Sequence, residues 1–179
     1  MGSILYYAQA VNLTALTALT TLGSEQAKAT AHTLKSTGQL LDYLATHPNA
    51  TLRYYASAMV LNIHSDASYV SEGGTKICAA GHYFLGWKPS DNAPIRLNGA
   101  IYTMCNIMKF VASSIAEAEL GALFMNAKEC RIIRLTLKEL GHPQPPNPTH
   151  CDNTTAAGIS SGSVKRKSSK AMEMQYFYF

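Results

Sequence analysis

Charge is what this sequence has least of. Only 15% of its residues are Asp, Glu, Lys or Arg, and 11 acids stand against 15 Lys and Arg for a net charge of +4. That small excess permits a polyanionic partner without demanding one. Cysteine is scarce too. Cys78, Cys105, Cys130 and Cys151 form no C-x-x-C pair and no Cys/His ligand spacing, which argues against a zinc module or a disulfide scaffold. They are read as reduced thiols of an intracellular protein. Long apolar runs are missing: the segment from Ile4 to Leu22 is studded with threonine and too polar to span a membrane. The start of the chain has no basic n-region, so the protein is read as soluble, cytoplasmic or nuclear and not secreted. The glycosylation patterns at Asn12, Asn49 and Asn153 do not change that expectation. With ten tyrosines, one tryptophan (Trp87) and few charges, the surface is expected to be uncharged-polar or partly covered.

What is present suits one ordinary domain with a helical addition: 179 residues, 47% of them hydrophobic. Apolar residues at Leu5, Ala8, Val11, Ala15, Leu16, Leu19 and Leu22 recur with a helical period. Gly23 and Ser24 are expected to stop that helix, with Ser24 as the N-cap of a second from Glu25 to Thr46. The pair is too small to be stable alone.

A strand pattern follows. In Met59 to His64 the apolar Met59, Leu61 and Ile63 alternate with Val60, Asn62 and His64, and the run closes in the polar stretch 65–68, which predicts that Asp66 lies at or just past a strand end. Residues 77–87 predict a second strand with a possible bulge at Gly81, and residues 100–110 a third, in an antiparallel meander. From Ser114 to Leu140 a stripe of Leu120, Leu123, Ala127, Cys130, Ile133, Leu137 and Leu140 predicts the longest helix, ended by Gly141. The proline-rich stretch 142–148 is a stiff loop. A short strand at 149–152, a small helix at 154–159 and a last strand at 172–179 complete an α/β chain with a mixed sheet of about five strands.

Three acids stand out. Ser114 and Glu117 satisfy the S-x-x-E capping box, which gives Glu117 a structural role. Glu119 lies about 200° further round the helix, beside the apolar stripe. Taken singly, Asp66 suits a turn, Glu119 a first-turn acid favoured by the helix dipole, and Asp152 an N-cap. Taken together, parallel first and fourth strands would bring Asp66 and Asp152 to the carboxyl edge where open α/β sheets place their sites. Converging carboxylates repel unless divalent cations neutralise them, and Mg²⁺ takes oxygen ligands. Two ions about 4 Å apart would support attack of water on a phosphodiester. His64 and His82 are read as strand-face residues, His142 and His150 as structural, and Trp87 as a packing residue.

The ordered stretches HSDASY (64–69), SSIAEAELGALF (113–124), CDNTTAAGI (151–159) and KRKSSKAMEMQYFYF (165–179) resemble the ribonuclease H domain of copia-type retrotransposon polyproteins. The stretch LLDYLATHPNATLRY (40–54) is similar to the end of the reverse transcriptase that precedes that domain. The resemblance implies a helical segment over 1–56 and a ribonuclease H-like domain over 57–179. It implies that Asp66, Glu119 and Asp152 are metal-binding and catalytic, with Mg²⁺ or Mn²⁺ as cofactor. The implied reaction is hydrolysis of the RNA strand of an RNA–DNA hybrid, with the polymerase part of the same polyprotein as a further partner. The basic residues Lys165, Arg166, Lys167 and Lys170 are the candidate phosphate contacts.

Two departures accompany the resemblance. The family's fourth acid, on a final helix, has no counterpart here, so the domain is expected to be C-terminally incomplete. Glu173 also stands where relatives carry Asp, and is read as a strand feature. These departures support the alternative of an inactive remnant that binds nucleic acid or protein.

Overall fold

The alternation that begins at Met59 does build a strand, and the rest of the sheet is laid against it. A computed structural model describes residues 2–72, 76–88, 96–110, 112 and 114–163, with the side chains of 69–72 and 76 left aside. The last expected strand, Glu173 and the basic residues Lys165, Arg166, Lys167 and Lys170 lie outside the described residues. The chain divides into two compact units, Met1–Arg53 and Tyr54–Phe179.

The first unit holds α1 (Gly2–Ala10), α2 (Leu16–Glu25) and α3 (Ala31–Thr46), with short 3₁₀ turns at Leu13–Ala15 and Gln26–Lys28. Its helix boundaries differ from expectation. The first helix breaks at Asn12, whose side chain accepts a 2.6 Å hydrogen bond from the Thr14 hydroxyl. Such local bonds compete with the helical ladder. Helix α2 then runs through Gly23 and Ser24, and the Ser24 hydroxyl donates back to the Thr21 carbonyl instead of capping the next helix. That cap is Thr30, whose hydroxyl accepts from the Thr33 N–H while the Thr30 N–H donates to the Thr33 hydroxyl. Threonine thus takes both sides of a capping box.

The second unit is α/β. Strands β1 (Val60–Glu72), β2 (Lys76–Gly86) and β3 (Ala100–Ile107) form the antiparallel meander. Strand β4 (Thr149–His150) adds parallel to β1, giving a four-stranded mixed sheet ordered β3-β2-β1-β4 among the described residues, against the five or so expected. Helix α4 (Ile115–Glu139) packs on one face and α5 (Thr154–Ser160) follows β4. The core joins Leu61, Ile63 and Ala67 of β1 and Ile77, Ala79 and Tyr83 of β2 to Ala118, Ala122, Cys130 and Leu137 of α4. Alternate strand positions therefore face the helix, as a period of two requires. The predicted stripe divides: Leu120 packs instead on Ile159 of α5, and Leu140 is exposed. Ser114 caps α4 by accepting from the Glu117 N–H at 3.2 Å. None of the four cysteines is in a disulfide.

Two expectations about the sheet are corrected. Strand β1 does not end at or just before Asp66. It pairs with β2 as far as Glu72, so Asp66 is a mid-strand residue opposite Ala80. Gly81 is no bulge, since it stays in register with Ser65 and Met104. It is glycine because a Cβ there would run into the Asn126 carboxamide and the Tyr83 ring. The β2–β3 register breaks between Tyr83 and Phe84, and the β1–β2 register between Ser68 and Glu72.

The proline-rich loop positions β4. Prolines donate no backbone hydrogen bonds, and the intervening amides take over. The Leu61 N–H donates to Gln144 Oε1, Gln144 Nε2 donates to the Met59 carbonyl, and Asn147 Nδ2 donates to the Leu61 carbonyl, each at 2.9 Å. The Ile63 N–H then donates to the Pro148 carbonyl at 3.1 Å, and the parallel pairing begins. The loop is zipped to β1 by side chains before the backbone ladder starts.

Candidate metal centre

The parallel ladder lasts two residues. Ile63 pairs with Thr149 and His64 with His150, and then the chain departs toward α5. Beyond that point the ladder edge of β1 needs another partner, because a buried N–H is costly when unpaired. Glu119 supplies it: the Ala67 N–H donates to Glu119 Oε1 at 3.3 Å. A carboxylate thus stands where β4 would have continued. Cys151, the first residue after β4, donates through its thiol to Glu119 Oε2 at 3.8 Å.

Glu119 is 3% exposed. Burial pushes its carboxyl up to about 7, and the negative charges of Asp66 and Asp152 add to the rise, against the lowering effect of the Ala67 N–H. Among the described residues, the groups acting on it are two carboxylates, a thiol and an amide, with no cation. Burial likewise pushes the Cys151 thiol up, so it is protonated at neutral pH.

One donor atom each from Glu119, Cys151 and Asp152 lie within 4.8 Å of one another, a group that could hold a metal ion. The sequence-predicted acids are distributed accordingly. Glu119 and Asp152 come together. Asp66 is not part of that three-donor group, although it faces the same open groove of about 520 Å³, whose walls include His64, His150, Cys151 and Asp152. Asp152 is exposed and is not the N-cap of α5. That role belongs to Asn153, whose side chain accepts from the Ala156 N–H at 3.0 Å. The cap leaves the Asp152 carboxylate at the groove. Cys151 was missed as a donor because single cysteines read as core thiols, and its place directly after a strand and before Asp152 was the available signal.

The cap makes a checkable demand. Asn153→Ala is expected to cost the second unit about 1 kcal/mol in chemical denaturation. It should also weaken cation binding, because Asp152 sits on the residue before the cap. Unchanged denaturation would mean that the cap does not hold α5.

No protein-family model, no curated protein and no solved structure matches this chain.

Proposed function

We propose that the second unit is a ribonuclease H-like domain that hydrolyses the RNA strand of an RNA–DNA hybrid with Mg²⁺ or Mn²⁺. The observation that carries the proposal is the burial of the Glu119 carboxyl beside two further carboxylates. Burial pushes this carboxyl up to about 7, two further carboxylates add to the rise, and no cation among the described residues offsets it. Such an arrangement is costly by itself and becomes favourable when a divalent cation binds. The order of the acids along the chain and the motifs around them support the same reading.

The donor set fits a hard cation. Glu119 and Asp152 offer oxygen, Asp66 offers a third carboxylate on the same groove, and a protonated Cys151 is a poor ligand for Mg²⁺. When bound, the ions supply the Lewis acidity that phosphodiester hydrolysis needs. The chain's residues do the positioning. The Ala67 N–H fixes the rotamer of Glu119 within the sheet, so this ligand cannot swing away. Asp66 and Asp152 are exposed and face the groove, where a phosphate backbone can reach them. Enzymes of this kind read hybrid shape and the 2′-hydroxyl with few base contacts, which suits an open groove without a deep pocket.

The test is cleavage of an end-labelled RNA–DNA hybrid by the purified chain with Mn²⁺ or Mg²⁺, alongside Asp152→Asn. Cleavage of the RNA strand alone is expected. Losing a direct ligand should lower the rate by at least roughly 100-fold, the upper end of what an outer-shell partner costs. A folded chain that binds the hybrid without cutting it would favour a binding module.

A further inference from the structure

One row of side chains crosses the whole sheet. His150 of β4 is in register with His64 of β1, His64 with His82 of β2, and His82 with Thr103 of β3. Register partners on adjacent strands place their side chains on the same face. The three imidazoles are not equivalent. His82 Nε2 is hydrogen-bonded to the Asn98 carbonyl at 3.3 Å. The rings of His64 and His150 lie 4.8 Å apart, centroid to centroid, and Nε2 of each is buried with no hydrogen-bond partner among the described residues.

Two adjacent buried ring nitrogens without partners are unusual, because buried polar atoms are nearly always satisfied. Both residues line the groove. We propose that His64 and His150 form a binding site for a borderline divalent transition metal of the Zn²⁺ class, separate from the carboxylate group. The chemistry of the donors sets the class. Imidazole nitrogen suits Zn²⁺, Ni²⁺ and Cu²⁺, whereas Mg²⁺ takes oxygen. An imidazole Nε2 without a hydrogen-bond partner has a lone pair to give. The site stands whether or not the groove hydrolyses a hybrid.

The test is calorimetric titration of the metal-free chain with Zn²⁺, in parallel with His64→Ala, His150→Ala and Glu119→Gln. One ion per chain is expected. Each histidine substitution should weaken binding by roughly 100-fold, a larger loss than most outer-shell changes cause, and Glu119→Gln should leave it in place. Equal binding by the histidine variants overturns the proposal. So does loss of binding in Glu119→Gln, which would put the ion among the carboxylates. Failure of Mg²⁺ to bind bears on the nuclease reading alone. Should a histidine variant not fold, imidazole NMR of the unsubstituted chain decides. Zn²⁺ should shift the ring signals of His64 and His150 together, saturating at one equivalent, while the exposed His32, His47 and His142 stay unmoved. Shifts confined to those three overturn it.

Discussion

Glu119→Gln is expected to make the metal-free protein more stable at pH 8 while removing its capacity to bind Mg²⁺ or Mn²⁺. The buried carboxyl moves from an ordinary 4.5 to about 7 on folding. The native state therefore holds a proton that the unfolded chain has released between those values. This group's contribution to stability falls as pH rises from about 4.5 to about 7 and stays level above it. A glutamine keeps the Oε1 acceptor for the Ala67 N–H and carries no charge to bury. It should gain ~2 kcal/mol at pH 8 and nothing at pH 4.5. Melting curves of both proteins in chelator, from pH 4.5 to 8.5, measure the difference. A variant less stable than the parent at pH 8 would show that the ionised carboxylate is held by something favourable. In the same preparation, Mn²⁺ titration should give no saturable binding at the carboxylate group.

The second large effect is expected at Asn126, which is fully buried in α4 and ties that helix to two strands. Its Nδ2 donates to the Ser65 hydroxyl and the Ala80 carbonyl, both at 2.9 Å, and its Oδ1 accepts from the Tyr83 hydroxyl at 2.6 Å. Burial pushes the Tyr83 hydroxyl upward, so it stays a donor at any physiological pH. Asn126→Leu fills a similar volume but strands a hydroxyl and a carbonyl and weakens the Tyr83 bond. At 1–3 kcal/mol for each orphaned group, roughly 3–5 kcal/mol should be lost. Tyr83 keeps its 3.2 Å bond to the Asn126 carbonyl, which bounds the loss. Urea denaturation monitored at Trp87 measures it. A cost under about 1 kcal/mol would mean that the network contributes nothing beyond shape.

Much of this unit can be read from the residues because the signals are periodic. Leu61 and Ile63 of the alternating run do face the core, and the capping serine Ser114 starts α4 where the pattern says it should. Boundaries governed by single polar contacts escaped the pattern. Asn12 breaks a helix through one threonine, Thr30 replaces Ser24 as a cap, and Asn153 replaces Asp152. In each case two plausible capping residues lie within a few positions, and only the packed backbone chooses between them. Gly81 likewise shows its purpose only beside Asn126, which lies far along the chain.

By itself, the amino-acid sequence determined the element types, the meander, the long helix with its serine cap and the three acids that deserve attention as candidate ligands. It could do so because apolar spacing and capping chemistry are local. The tertiary structure alone decided that β1 runs on past Asp66, that β4 leaves it after two pairs, and that Glu119 fills the vacated ladder position with Cys151 beside it. It also decided that His64 and His150 meet with Nε2 unpartnered. These depend on where two strands far apart in the chain part company. No local pattern encodes that, because it depends on pairing between segments more than eighty residues apart.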